Sequence, residues 1–217
     1  MIRRTNSTVG DAVQERVLLC DYGGVLSLLQ PAELISSMAD LCGLSSELFV
    51  ERYWLDRGAY DRGDLSPLDY WTDVIGHAPS AATLERLDRL DVKSWLQPNR
   101  ESLETVSCAT QSGMRPAILS NAPASLARRL ETVHWLDFIH DKFFSCDLRL
   151  TKPAPEIFQV VMGRLGMPPR AILFVDDRLD NIQAASALGM RTIHFRGTAD
   201  FSLEEALRGL PASGPSS

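Results

Sequence analysis

Short, continuously apolar runs alternate with helical patterns along most of the chain. Four of these runs predict buried β-strands, at residues 17–20, 116–119, 171–175 and 192–195. Around them, apolar residues recur at three- and four-residue spacing, which predicts helices over residues 100–112, 124–133, 155–165 and 180–188. Gly166 and Gly189 follow the last two patterns, at positions typical of helix C-caps. Because such strands lack polar alternation, we predict an α/β fold with a doubly wound parallel sheet.

One long segment interrupts this alternation. From about Gln30 to Gln97 the sequence shows helical patterns, as at 32–38 and 67–71, but no convincing strand. Roughly 65 to 70 residues of helix exceed what a simple crossover between two strands needs. We therefore predict an inserted helical cap at 30–97 that lies over the carboxyl edge of the sheet. The predicted α/β core then comprises residues 15–29 and 98–210.

Composition narrows the class of protein. The chain has 217 residues, 45% of them hydrophobic, with a formal net charge of -6. The length suits one domain with a modest insertion, and the acidic balance argues against a nucleic-acid partner or an anionic membrane surface. No apolar run approaches the roughly 20 residues that span a bilayer. Residues 1–14 and 211–217 are predicted to be flexible tails by composition.

The cysteines carry no sign of a metal site or a disulfide framework. They lie far apart in the sequence, without Cys-x-x-Cys spacing: Cys20, Cys42, Cys108 and Cys146. We expect them to be reduced thiols that behave as small apolar residues. Together with the absence of a signal-peptide pattern at the start, this predicts a cytoplasmic protein.

Polar residues whose side chains can bind ligands or react lie at one predicted edge of the sheet. Ligands of open parallel sheets bind beyond the carboxyl ends of the strands. The strand ends and one helix start place the following residues there: Asp21, Ser120 with Asn121, Lys152, and Asp176 with Asp177. Each has an ordinary explanation alone, as a helix cap, a turn residue or a solvated lysine. Together they predict a functional site, and the adjacent Asp176 and Asp177 favour a bound cation that offsets their repulsion.

With these motifs the chain resembles the haloacid dehalogenase-like hydrolases, in their phosphatase-type branch with a helical cap between the first two motifs. The resemblance spans about residues 16–200 and rests on Asp21-Tyr22-Gly23-Gly24-Val25-Leu26, Leu119-Ser120-Asn121, Lys152-Pro153, and Phe174-Val175-Asp176-Asp177 followed by Asn181. Members are mostly magnesium-dependent phosphatases, with some phosphomutases and a metal-free dehalogenase branch. The resemblance therefore implies a hydrolase that acts on a small phosphorylated metabolite, such as a sugar phosphate.

The resemblance also implies roles for individual residues. Asp21 would attack phosphorus and form an aspartyl-phosphate. Mg²⁺ would be bound by the Asp21 carboxylate, the Gly23 carbonyl and Asp177, with Asp176 acting directly or through water; hard oxygen ligands suit this ion. Lys152 would neutralise phosphate charge and hold Asp21 in place.

Further residues would bind the substrate or support the site. The predicted phosphate-binding residues are Ser120, Asn121, Tyr22 and Gly24, through the serine hydroxyl and backbone N–H groups. Asn181 and Asp180 are candidates for supporting roles, and ordinary strand-end hydrogen bonding explains Asn121 and Asn181 equally well. In the cap, Trp54, Arg57 and Tyr60 could contact a sugar or a second anionic group. The alternative is that the aromatic residues pack between cap helices while the arginine is solvated.

Gly23 departs from the family pattern. Most phosphatases of this superfamily carry a second aspartate there as general acid and base, which is typically worth about 10² to 10⁴ in rate. Another group could replace it, the substrate could have a leaving group that needs little protonation, or turnover could be lost. Two alternatives follow: a non-catalytic protein that binds a phosphoryl ligand, or a metal-free 2-haloacid dehalogenase. The sequence predicts no oligomeric state.

Overall fold

The computed structural model describes residues 16–202, 204, 206 and 208. Within this part of the chain, five strands form one parallel sheet. They are β1 (Arg16–Cys20), β2 (Met114–Ser120), β3 (Asp141–Phe144), β4 (Ile172–Asp176) and β5 (Arg191–His194). Their order across the sheet is β3-β2-β1-β4-β5. The predicted tails, residues 1–14 and 211–217, lie outside the described residues.

The apolar pattern of the sequence predicts four of these strands, β1, β2, β4 and β5, but not β3. The edge strand β3 is four residues long, and its first two, Asp141 and Lys142, are half-buried polar residues. Only Phe143 and Phe144 are buried in it. A run of two apolar residues is too short to predict a strand. In the structure, β3 is recognised by its parallel pairing with residues 117–120 of β2.

The described residues between β1 and β2 form helices and contribute no strand to the sheet. We call the following set the helical insertion: α1 (Ala32–Cys42), α2 (Ser46–Leu55), α3 (Arg57–Arg62), α4 (Pro67–Ile75) and α5 (Ala81–Ser94). Serine side chains cap α2, α4 and α5 at their N-termini by accepting backbone N–H groups. The insertion has an apolar cluster of its own, in which Tyr53, Tyr70 and Trp71 are almost fully buried.

Helices cover both faces of the sheet, as the sequence predicts. They are α6 (Arg100–Gln111), α7 (Ala124–Leu130), α8 (Ser145–Leu148), α9 (Pro155–Leu165) and α10 (Leu179–Ala187). Leu18 and Cys20 of β1 pack into one apolar cluster with residues of α6 and α7. Val17 and Leu19 point to the opposite face and pack with residues of α9 and α10. The doubly wound α/β prediction is thus confirmed.

Two features of the topology place the site. The chain leaves β1 towards β2 on one side, whereas β4 lies on the other side and leads away to β5. The carboxyl ends of β1 and β4 therefore flank the topological switch point, where open α/β sheets bind ligands. The segments that lead into and out of the insertion run side by side there, since Leu28 N–H donates to Gln97 O at 2.7 Å and Asn99 N–H to Leu26 O at 2.9 Å.

Two further predictions concern the thiols and the membrane. Each of the four cysteines is a free thiol, and Cys20 and Cys42 are buried. Of the helices in the described residues, none is long and apolar enough to span a bilayer.

Candidate active site

Asp21 and Lys152 form the centre of the site. Asp21 follows β1 directly, and its backbone N–H donates to the Val175 carbonyl on β4 at 2.8 Å. The Lys152 ammonium lies 2.7 Å from Asp21 Oδ1 and 2.7 Å from Asp176 Oδ2. It also donates to the Leu119 carbonyl at 2.9 Å. Three acceptors match the three ammonium hydrogens, so this buried charge is fully satisfied and fixed in position.

Asp176 accepts further hydrogen bonds besides the one from Lys152, including one from the Asn181 amide to Oδ2 at 3.0 Å. Its Oδ1 accepts the backbone N–H of Arg178 at 2.8 Å and the Asn181 amide at 2.9 Å. Asp176 is completely buried and Asn181 nearly so. Asn181 therefore lies beside the acidic cluster, hydrogen-bonded to Asp176.

Three carboxylates meet at this edge of the sheet. Oxygens of Asp21, Asp176 and Asp177 all lie within 4.8 Å of one another. Burial raises the pKa of Asp21 to about 7, against the opposing attraction of Lys152. Burial also raises the pKa of Asp177, with repulsion from Asp176 adding to it. One lysine faces three carboxylates, so the cluster carries excess negative charge and its oxygen ligands suit a hard divalent cation.

Gly24 and Asp177 fit against each other. Gly24 has φ +77°, in the left-handed region that favours glycine, and a Cβ there would lie 2.6 Å from Asp177 Oδ2. A side chain at position 24 would displace this carboxylate. Glycine at this position therefore lets the backbone approach the acidic cluster closely.

Asn121 and Lys152 bind each other through the backbone of the lysine. The Asn121 amide donates to Lys152 O at 2.9 Å, and Lys152 N–H donates to Asn121 Oδ1 at 2.9 Å. This pair joins the end of β2 to the loop before α9. Ser120 ends β2, is buried, and faces the same cavity.

A cavity of about 450 Å³ opens above the acidic cluster, between the sheet edge and the helical insertion. From the core it is lined by Asp21, Tyr22, Gly23, Leu29, Ser120, Asn121, Leu126, Thr151, Lys152, Asp177, Arg178 and Asn181. The insertion and the segment after it contribute Trp54, Arg57, Gly58, Asp61 and Trp95. Most sequence-predicted site residues thus face one space.

Four predicted residues do not line this cavity. Asp176 is completely buried and bound to Lys152, and Gly24 packs against Asp177. Asp180 is half-exposed and pairs with Arg178 at 2.9 Å. Tyr60 stacks on the Tyr70 ring, with centroids 4.2 Å apart, inside the insertion. Its position matches the alternative in which Tyr60 packs between helices.

Arg57 lines the cavity but is not solvated. It is buried, with its Nε 2.7 Å from Asp61 Oδ1 and its Nη1 3.1 Å from Asp91 Oδ2. It also donates to the Tyr53 hydroxyl, which itself donates to Asp91 Oδ1 at 2.5 Å. This cluster ties α2, α3 and α5 together.

Trp95 fills the space beside Gly23. A Cβ added to Gly23 would lie 3.1 Å from the Trp95 ring. The ring is fixed because its indole N–H donates to the Tyr53 hydroxyl at 3.3 Å, and the Trp95 carbonyl accepts the Tyr22 hydroxyl at 2.7 Å. The indole therefore occupies the place towards which a side chain at position 23 would extend.

The sequence pattern does not identify Trp95 or Leu29 as cavity residues. Leu29 ends the segment after the first motif, and Trp95 follows the last helix of the insertion. Both lie where the chain crosses between core and insertion. Neither residue belongs to a periodic pattern. Their positions next to the predicted boundaries of the insertion were the only features of the sequence that could have pointed to them.

Comparison with known proteins identifies the family. The sequence model of one protein family, the haloacid dehalogenase-like hydrolases, matches residues 32–189 of this chain. The chain therefore belongs to this family of hydrolases, which confirms the resemblance drawn from its motifs.

Relatives include phosphatases. A sesquiterpene phosphatase of Aspergillus oryzae is 25% identical over 82% of this chain and 89% of its own length. A phosphoglycolate phosphatase of Salmonella choleraesuis is 32% identical, but the match covers 42% of this chain and 36% of that protein. A haloacid dehalogenase family enzyme of Bacteroides thetaiotaomicron, solved with magnesium and inorganic phosphate, has a TM-score of 0.66 at 21% identity. That match covers 82% of this chain and 92% of the enzyme.

Proposed function

We propose that this hydrolase is a magnesium-dependent phosphohydrolase that acts on a small phosphorylated metabolite through an aspartyl-phosphate at Asp21. The observation that carries the proposal is the placement of Asp21. Its carboxylate faces the cavity, one oxygen is fixed by Lys152, and two further carboxylates lie beside it. A carboxylate attacks phosphorus effectively only when it is positioned and its repulsion with phosphate is offset.

The two oxygens of Asp21 have different roles in this proposal. Oδ1 accepts Lys152 Nζ and the Tyr22 backbone N–H, each at 2.7 Å. Among the described hydrogen bonds none reaches Oδ2, so this oxygen is available as the nucleophile. Oδ2 bonds to phosphorus as the bond between phosphorus and the leaving oxygen breaks. The leaving oxygen takes a proton from solvent water and departs as the alcohol. A second water then attacks phosphorus and gives up a proton to solvent, the bond between phosphorus and Asp21 Oδ2 breaks, and inorganic phosphate leaves.

The acidic cluster fits Mg²⁺. Asp21, the Gly23 carbonyl and Asp177 would hold the ion, with Asp176 acting directly or through water, and oxygens of water and substrate would supply the remaining ligands. When bound, the ion supplies positive charge against the negative charge of the phosphate and the carboxylates. The magnesium and phosphate complex of the Bacteroides enzyme supports this choice of ion.

Other residues position the phosphate and the nucleophile. Lys152 supplies a fixed positive charge next to Asp21, and Asn121 holds the backbone of that lysine. The Ser120 hydroxyl faces the cavity and would donate to a phosphate oxygen. Tyr22 N–H is already bound to Asp21, so we assign it to orienting the nucleophile.

The helical insertion takes the role of a cap in this proposal. It forms one wall of the cavity through Trp54, Arg57 and Asp61. Ser145 of α8 connects it to the core by donating to the Asp61 carbonyl at 2.5 Å. A cap at this position would exclude water from the phosphate and contact the organic part of the substrate.

Phosphate release from p-nitrophenyl phosphate, with Mg²⁺ and with EDTA, tests the proposal. The wild-type protein should release phosphate only with Mg²⁺, and Asp21→Asn should lose more than about 10³-fold in kcat, since the nucleophile is gone. Asp73→Asn, an exposed aspartate on α4, is the matched control and should keep full activity. Phosphate release that survives EDTA or Asp21→Asn would refute the mechanism. Binding without turnover would favour a phosphoryl-ligand binder, and halide release from a 2-haloacid would favour a dehalogenase.

A further inference from the structure

The cationic side chains that line the cavity already have anionic partners. Among the described lining residues, Lys152 is bound to Asp21 and Asp176, and Arg178 pairs with Asp180. Arg57 is paired with Asp61 and Asp91. A carboxylate or a second phosphate on the substrate would have to share one of these cations with the carboxylate that already binds it. The cavity therefore does not favour a second anionic group.

Part of the cavity lining is an apolar wall. Leu29, Trp54 and Trp95 all line the cavity, and Leu29 and Trp54 are 69% and 51% exposed. The rings of Trp54 and Trp95 lie edge to face with centroids 6.4 Å apart, so they form a continuous aromatic surface. Large apolar side chains exposed at the mouth of a cavity are typical of a surface that a ligand covers.

This wall also offers few polar groups for sugar hydroxyls. In the described part of the insertion, the polar side chains facing the cavity are Arg57 and Asp61, which bind each other at 2.7 Å. The Trp95 indole N–H is directed to the Tyr53 hydroxyl. A sugar placed here would lose its hydrogen bonds to water without full replacement, which costs free energy.

We propose that the substrate is the phosphate monoester of an uncharged, apolar alcohol, whose hydrocarbon part packs against Leu29, Trp54 and Trp95. The inference rests on the proposed phosphohydrolase function, because it takes the phosphate to lie at Asp21 and Lys152. It replaces the sugar phosphate considered from the sequence with a substrate of different chemistry. Trp54 and Trp95 then determine specificity, and Arg57 positions the wall without binding the substrate.

Three phosphate monoesters distinguish the substrate classes. Hexyl phosphate, glucose 6-phosphate and 2-phosphoglycolate are all esters of primary alcohols, with apolar, polar and anionic organic parts respectively. With Mg²⁺ present, kcat/KM for hexyl phosphate should exceed that for the other two by about tenfold or more, the size of discrimination that a few apolar contacts provide.

Variants link this preference to the wall. Trp54→Ala should lower kcat/KM for hexyl phosphate by about tenfold and leave that for glucose 6-phosphate within about twofold. Leu55→Ala is the matched control, because Leu55 is adjacent on α2, is 76% exposed and does not line the cavity. It should change neither value. The selective loss in Trp54→Ala separates substrate contact from a general effect on the fold.

The outcomes separate the two proposals. Turnover that depends on Asp21 but shows no preference for hexyl phosphate, or a preference that Trp54→Ala leaves intact, would overturn the apolar substrate and leave the phosphohydrolase standing. If neither the three esters nor p-nitrophenyl phosphate yields phosphate in an Asp21-dependent way, the phosphohydrolase itself is refuted, and the substrate class with it.

Discussion

At the scale of single residues, Lys152 connects Asp21 to Asp176. Its ammonium binds Asp21, Asp176 and the Leu119 carbonyl from within the protein. Burial is the largest influence and lowers the pKa of Lys152, but the attraction of Asp176 and Asp21 outweighs it and keeps the pKa above its usual value. The lysine is therefore charged, and the two carboxylates depend on it.

Replacement of this lysine tests that dependence. Lys152→Met should lower the free energy of unfolding by about 3 kcal/mol, because it leaves two buried carboxylates without their cation. It should also abolish phosphate release. Lys142→Met, at a half-buried lysine on β3, is the control and should stay within about 0.5 kcal/mol. Urea unfolding in EDTA measures both variants; a loss below about 1 kcal/mol for Lys152→Met would contradict the assignment.

Gly23 and Trp95 form a second pair at this scale. Gly23→Asp would place a Cβ 3.1 Å from the indole ring, so we expect it to lower the free energy of unfolding by about 1–3 kcal/mol and to lower kcat. In a Trp95→Leu background, Gly23→Asp should cost much less free energy of unfolding relative to Trp95→Leu alone, because the ring is gone. Gly163→Asp is a control at a helical glycine with open space around it. A stable Gly23→Asp variant with raised kcat would show instead that acid–base help limits the wild-type enzyme.

The sequence predicted the polar residues of the site better than its apolar wall. Asp21, Ser120 and Asp176 were found because each ends or follows a strand, and parallel strands bring such ends to one edge. Trp95 could not be found in this way. Its place beside Gly23 depends on a contact between positions far apart in the sequence, which no local pattern encodes.

At the scale of secondary structure elements, the helical insertion depends on a buried charged cluster as well as on apolar packing. Arg57 on α3 binds Asp91 on α5 and Tyr53 on α2. Its guanidinium also lies 4.8 Å from the centroid of the Tyr53 ring. The sequence showed helical periodicity in this region, but periodicity does not reveal which arginine is buried, and Arg57 was considered only as a substrate contact or a solvated residue.

Loss of this arginine should destabilise the insertion. Arg57→Met leaves Asp61 and Asp91 without their buried partner and should cost about 3–5 kcal/mol of the free energy of unfolding. Arg89→Met removes an exposed pair with Glu85 on α5, and it should cost less than about 0.5 kcal/mol. Urea unfolding compares the two arginines, and equal losses would contradict a structural role for Arg57.

At the scale of the whole molecule, the strand order creates the site. Placing β1 between β2 and β4 brings Asp21 next to the carboxyl end of β4, so residues more than 150 positions apart form one acidic cluster. The alternation of strands and helices predicted this α/β class. It did not predict β3, whose edge position leaves half of its residues polar.

Binding of Mg²⁺ should stabilise the whole fold. At a free concentration 100 times Kd, a ligand that binds only the native state adds about 2.7 kcal/mol, which for a chain of this size raises Tm by about 5 °C or more. Asp177→Asn should remove most of this shift, and Asp73→Asn, which makes the same charge change on α4, should retain it. A Tm that does not respond to Mg²⁺ in the wild-type protein would contradict the metal site.

The most direct test of the central claim is to detect the covalent intermediate on Asp21. The enzyme is mixed with excess substrate and Mg²⁺, quenched in acid and reduced with borohydride, which converts an aspartyl-phosphate to homoserine. Peptide mass spectrometry then locates the modified residue. The account predicts homoserine at position 21, only when substrate and Mg²⁺ are both present. Active enzyme in which position 21 remains aspartate, or in which another residue carries the modification, would contradict it.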